Sequence, residues 1–139
     1  SSLVMLHSAS SFAADPVVKE APLTWQQAAT SDGAELYVGL CAVCHGVGGK
    51  GDGPAAAALK IPVPDLTTLA VNNNGVFPRE PVVNAIKGRA RIVSHGTADM
   101  PIWGSAFYSL RPDWKPVRRS AFANQRIYNL TAYLETLQQ

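Results

Sequence analysis

The chain has 139 residues, the size of one domain, with 47% hydrophobic and 16% charged residues, enough apolar side chain to build a core. Its formal net charge of +2 says little by itself, and a nucleic-acid binder is a poor candidate because no nucleic-acid motif accompanies the basic residues. Ten prolines and eleven glycines predict a few short helices joined by extended loops.

Residues 1–14, "SSLVMLHSASSFAA", carry no Lys, Arg, Asp or Glu and join a short apolar run to small residues, as the tail of an export signal does. Ser11 to Ala13 supply a small-x-small cleavage pattern, which puts the start of an exported form at Ala14 or Asp15. A disordered tail is the other reading of this segment, and a membrane span needs a far longer run of roughly 20 apolar residues. Residues 15–30 form a Pro-punctuated lead-in in which Thr24-Trp25-Gln26-Gln27 fits a capping box and a short helix. The domain proper is expected over 31–139.

A first secure helix is predicted from Ser31 or Asp32, with Asp32 and Glu35 spaced as cap and N3 partner. Leu36, Leu40 and Val43 follow at helical spacing with Tyr37 beside them. That helix leads into "CAVCHGVGGKGDGP", which holds both cysteines of the chain, a histidine directly after the second, and five glycines before Pro54. A C-x-x-C pair serves redox thiols, zinc sites and haem attachment. Zinc needs four ligands, and no third cysteine exists to help. A thioredoxin-like pair sits in a βαβ setting, whereas here a helix precedes it. The C-x-x-C-H order is what c-type haem attachment requires: Cys41 and Cys44 bond the porphyrin, and His45 is held under the iron. The glycines then let the backbone turn tightly and lie close to a flat ligand.

Pro54 to Lys60 is predicted as a short helix with Pro first, ended by "IPVPD", and residues 65–69 as a further turn. Asn74-Gly75 marks a turn. "REPVVNAIKG" is a helix with Pro81 in its first turn and Gly88 at its stop. An irregular stretch is expected from Arg89 through "SLRPDWKPVRR". The last helix is capped by Ser120 and carries Ile127, Leu130, Leu134 and Leu137 on one face, with Tyr133 beside them.

An iron with one axial histidine has either an open face or a sixth ligand, and the residues leave two choices outside the leader, Met100 and His95. A methionine normally fills core, but Met100 stands in the irregular "ADMPIWG" with Pro101 stiffening the backbone beside it. A thioether favours ferrous iron relative to a second imidazole.

"DGAELYVGLCAVCHGVGGKGDGP", "MPIWG" and the closing "IYNLTAYLETL" together resemble the class I cytochromes c, over about 31–139. The resemblance implies an all-α class I cytochrome c fold, four to five short helices with long loops around one covalent haem c. It implies Cys41 and Cys44 as thioether attachments, His45 as proximal and Met100 as distal ligand, and a helix crossing at Gly33 and Tyr37 with Tyr133 facing them. Pro54 matches the proline whose carbonyl receives the histidine Nδ1 hydrogen, although Pro62 and Pro64 also follow nearby. Arg89, Arg91 and His95 are expected near the haem propionates, and Trp103 packs on the haem or bonds a propionate, or is ordinary packing.

Residues 86–126 contain eight basic side chains (Lys87, Arg89, Arg91, Arg111, Lys115, Arg118, Arg119, Arg126) against Asp99 and Asp113, while 1–85 has four basic against seven acidic. The expected function is a periplasmic one-electron carrier, not an enzyme, between a dehydrogenase or bc-type donor and an oxidase or reductase. A cytochrome subunit held permanently in an oxidoreductase is the alternative. The Trp25 lead-in and residues 105–119, both beyond the smallest members of the resembled family, would then be interface.

Overall fold

The computed structural model describes residues 30–89 and 100–139. The leader, the lead-in with Trp25, and Arg91, His95 and Asp99 lie outside them. Helices α1 (Gly33–Leu40), α2 (Ala42–His45), α3 (Arg79–Ile86), α4 (Trp103–Ser109) and α5 (Pro116–Thr136) are joined by loops holding three 3-10 turns. There is no strand among the described residues. None of these helices is long and apolar enough to cross a membrane.

Helix α1 starts as the sequence predicts: Asp32 is extended and its carboxylate accepts the Glu35 N–H at 2.9 Å, satisfying one donor that the first turn leaves open. At Cys41 the axis breaks and α2 begins a new single turn. The break corrects one expectation, because a period counted through it puts Val43 on the core face, and Val43 is 50% exposed. Leu36, Tyr37 and Leu40 are buried as predicted.

Helix α5 lies across α1, and the two backbones touch at Gly33. A Cβ there would overlap the Asn129 carbonyl and come within 3.1 Å of Tyr133 Cβ. Just beyond that point the Tyr37 and Tyr133 rings meet with centroids 5.2 Å apart. Ile127, Leu130 and Leu134 face inward as expected, and buried Thr131 gives its hydroxyl hydrogen to the Ile127 carbonyl at 2.8 Å.

The irregular stretch expected from Arg89 through Arg119 holds, over its described residues 100–119, helix α4 and the first turn of α5. Helix α4 buries Phe107 against α5, which begins at Pro116 rather than at Ser120. Proline at the first helical position lacks only an N–H that would have no partner anyway, and its fixed φ suits the helix. From 117 to 139 the chain holds no Gly or Pro, so α5 runs to 21 residues and is not short. Helix α3 has its predicted bounds, with Pro81 in the first turn and Gly88 at φ +71° as the stop. The segment from Pro54 forms a turn and a 3-10 piece, Ala56–Ala58, rather than an α-helix.

The C-terminus is tied to the middle of the chain by one side chain to which sequence reasoning assigned nothing. The Gln138 amide donates to the Leu66 and Leu134 carbonyls, each at 2.8 Å, and its oxygen accepts the Ala70 N–H at 2.9 Å. Removing it leaves the Leu66 carbonyl and the Ala70 N–H to find water, while the Leu134 carbonyl keeps the Leu137 N–H. Gln138→Ala is expected to cost about 2 kcal/mol in chemical denaturation, since each such bond nets roughly 0.5–1.5 kcal/mol.

Candidate functional site

Cys41 emerges directly from α1, its N–H bonded to the Tyr37 carbonyl at 2.8 Å. One turn later the His45 N–H bonds the Cys41 carbonyl at 2.8 Å, so both cysteines and the histidine stand on one tight turn. The chain then folds back over that turn. Gly51, Gly53 and Ala55 donate to the carbonyls of His45, Cys44 and Val43 at 2.8, 3.1 and 2.9 Å. This is where the glycines are needed, and it corrects their expected role. A Cβ on Gly53 would fall 2.5 Å from the Val43 carbonyl oxygen, and one on Gly51 would overlap the Val63 carbonyl. A Cβ on Gly48 would meet nothing within 4 Å. The collisions are with the chain's own backbone, and no glycine lines the cleft described next.

Cys41, Cys44 and His45 open into an apolar cleft, the kind of concave, mostly aliphatic site that takes a cofactor. Its walls are Leu40 of α1, Val82, Ala85 and Ile86 of α3, Leu130 and Leu134 of α5, and the run Leu59 to Leu69. Met100, Pro101 and Trp103 line the same cleft from the approach to α4. The structure therefore brings Cys41, Cys44, His45, Met100 and Trp103 together. His45 is buried, and both cysteines are half-buried and not joined in a disulfide.

Other assigned residues stand elsewhere. Arg89 is exposed beyond the end of α3 and is not among the cleft residues; Arg91 and His95 lie outside the described residues. Pro54 is exposed in the returning loop, between the two bonds that Gly53 and Ala55 make, and is also not in the cleft wall. Pro62 and Pro64 are in that wall. Trp103 packs against the core and meets the Phe107 ring at 6.2 Å between centroids. Sequence reasoning used "IPVPD" only as a helix stop. The available signal that it is a cleft wall was the run of apolar residues Leu59, Ile61, Pro62, Val63 and Pro64 broken only by Lys60.

The chemistry of the thiols separates the uses of a C-x-x-C pair. Burial pushes the Cys41 thiol up to about 12, and the nearby Cys44 charge adds to it. Thioredoxin-like pairs show the opposite, a thiolate stabilised near neutral pH. Among the described residues no group of three or more His, Cys, Asp and Glu is placed to hold a metal ion by itself. Two thiols, an imidazole and a thioether around one apolar cleft fit an iron porphyrin bonded through its edge. Tyr37 closes the cleft beside them; its hydroxyl donates to the Gly46 carbonyl at 2.7 Å, and burial raises it to about 12, so it stays a donor.

Comparison with the curated proteins returned no match, and neither did comparison with the solved structures. A family model described as "Cytochrome c" matches residues 30–138, from the approach to α1 through the Gln138 clamp. With the helical fold and the C-x-x-C-H turn at the cleft, that match shows that the chain belongs to the cytochrome c family, as a class I c-type cytochrome.

Proposed function

We propose that this chain is a one-electron carrier that holds one haem c through Cys41 and Cys44, with His45 and Met100 as axial ligands. The observation that carries the reading is the convergence of Cys41, Cys44, His45 and Met100 on one apolar cleft. Bound there, the haem supplies a ferric/ferrous couple, and no bond of a substrate is made or broken. The protein's part is to position and to insulate. The α2 turn would hold the imidazole and Met100 would supply the second ligand, while the aliphatic walls from α3 and α5 would keep water away and favour the less charged ferrous state.

The donor in this proposal is a dehydrogenase or bc-type complex and the acceptor an oxidase or reductase, reached by brief docking. Basic residues in 86–126 provide the attraction, although the structure removes one and ties others. Arg126 is only 6% exposed and lies over Phe122, so it is a core residue rather than part of a docking face. Arg111 pairs with Asp113 at 2.9 Å, and both Arg111 and Arg118 stack on Trp114, at 4.1 and 3.7 Å from the ring centre. Arg119 stacks on Tyr108. Charge reversal at Arg118 and Arg119 therefore disturbs packing as well as charge, and exposed Lys115 in the same stretch gives the cleaner variant. The second-order rate with the natural partner is expected to fall as salt rises, since the Debye length is roughly 8 Å at physiological salt, and to fall several-fold in Lys115→Glu. A rate indifferent to both, or a partner that stays bound through gel filtration in high salt, favours the permanently held subunit instead. The Arg111–Trp114–Arg118 stack supports that second reading, because Trp and Arg are the residue types that anchor stable interfaces.

Export to the periplasm belongs to the same proposal, on the uncharged small-residue stretch 1–14. N-terminal sequencing of protein from the natural host is expected to read from Ala14 or Asp15; a sequence that keeps residues before Ser11 would speak against a cleaved signal.

A further inference from the structure

A phenol taken out of water needs a partner for its hydroxyl, and where ring packing alone is wanted phenylalanine serves without that cost. Tyr37 is fully buried, its ring is held by Tyr133, and its hydroxyl reaches past its own helix to the Gly46 carbonyl at 2.7 Å. Gly46 is the residue that ends α2, directly after His45, at φ +78°. A Cβ there would overlap the Asp52 carboxylate, so the turn tolerates no larger residue without a shift. Helix α2 is a single turn of four residues with no side-chain cap, and one turn does not sustain itself in isolation. At its start it is joined to α1 only through Cys41, whose N–H bonds the Tyr37 carbonyl at 2.8 Å. At its end the Gly46 carbonyl receives two hydrogens, from the Tyr37 hydroxyl and from the Gly49 N–H at 3.1 Å.

We propose that Tyr37 is a positioning residue for His45: its hydroxyl transmits the fixed crossing of α1 and α5 to the turn that carries the imidazole, and sets the orientation of the ring in the cleft. The link runs from α5 through the Tyr133 ring to Tyr37, and from its hydroxyl to the backbone next to His45. The Gly49 bond closes only a local turn, whereas the Tyr37 bond joins the ligand segment to the rigid part of the fold. This inference rests on the reading of His45 as the iron ligand.

The test uses the haem-loaded full chain and the variant Tyr37→Phe, which keeps the ring, its volume and the Tyr133 contact. Two readouts are taken in one protein: amide hydrogen exchange, and the iron-shifted ring-proton resonances of His45 in the ferric NMR spectrum. Exchange at Gly46, Gly49 and Gly51 is expected to rise roughly three- to tenfold, the loss of one neutral hydrogen bond, while Leu130 and Leu134 in α5 stay as they were. The His45 resonances are expected to move. Tyr133→Phe, which removes the neighbouring hydroxyl but keeps the ring, is expected to leave both readouts unchanged. A uniform rise in exchange over α1 and α5, or His45 resonances that do not move in Tyr37→Phe, would overturn the proposal by making the hydroxyl a general stabiliser. A wild-type spectrum with no iron-shifted His45 resonances would overturn the ligand reading itself, and this inference with it.

Discussion

Met100→Ala is expected to abolish the weak near-infrared sulfur-to-iron charge-transfer band of the ferric protein and to lower its reduction potential. Met100 reaches the cleft from a segment that Pro101 stiffens, in the same wall as Trp103. A tethered thioether competes with every external ligand at its own high effective concentration, so removing it should strengthen binding of imidazole or cyanide to the ferric iron roughly tenfold or more. With Met100 as the proposed ligand, the loss of potential follows from losing a thioether that favours ferrous iron. Met100 also packs against the core, so the variant should lose about 2–3 kcal/mol of stability whatever its role, as truncation of a partly buried methionine does. The spectrum is therefore the discriminating measurement. A band that survives the substitution, with only the stability loss observed, would return Met100 to core filling and move the ligand assignment elsewhere.

The parts of this molecule that could be read from sequence are those written in local chemistry. The Asp32 cap, the α1 face of Leu36, Tyr37 and Leu40, the stop at Gly88 and the inward face of α5 each follow from a few neighbouring residues. The C-x-x-C-H turn is the strongest of these, since its spacing already implies its use. Errors arose where a local rule met a tertiary one. Ser120 looks like a cap, yet proline at the first position starts α5 five residues earlier, with Lys115 at the cap position, where α4 gives the added turn something to pack on. Val43 was placed by a period that does not continue through the break at Cys41. The glycines after His45 were assigned to a ligand, while their shape is required by the backbone of 42–44 and of Val63, whose approach depends on where the loop lands. Gln138 and the cleft wall around Pro62 and Pro64 needed contacts across more than sixty residues, or a cleft to line, before their roles could be seen.

The helix crossing gives the other large effect. Gly33→Val is expected to lose about 3 kcal/mol or more, and with it roughly 10–20 °C of thermal midpoint for a domain of this size. A Cβ on residue 33 meets the Asn129 backbone carbonyl, which belongs to the middle of a 21-residue helix and cannot turn aside as a side-chain tip would. The two helices must instead separate, and the first contacts to open are those that follow the crossing: the Tyr37–Tyr133 ring pair, then the Tyr37 bond to Gly46. The damage should therefore reach the haem site, seen as a less ordered His45 environment, although Gly33 does not line the cleft. Gly39 on the same helix is the control. A Cβ there meets nothing within 4 Å and its φ is not positive, so Gly39→Ala should stabilise the protein by about 0.5–1 kcal/mol through helix propensity alone. If the two substitutions act alike in thermal unfolding, the close approach of α1 and α5 at residue 33 is not what holds the fold. Opposite signs would tie the geometry of the ligand turn to one position where no side chain fits.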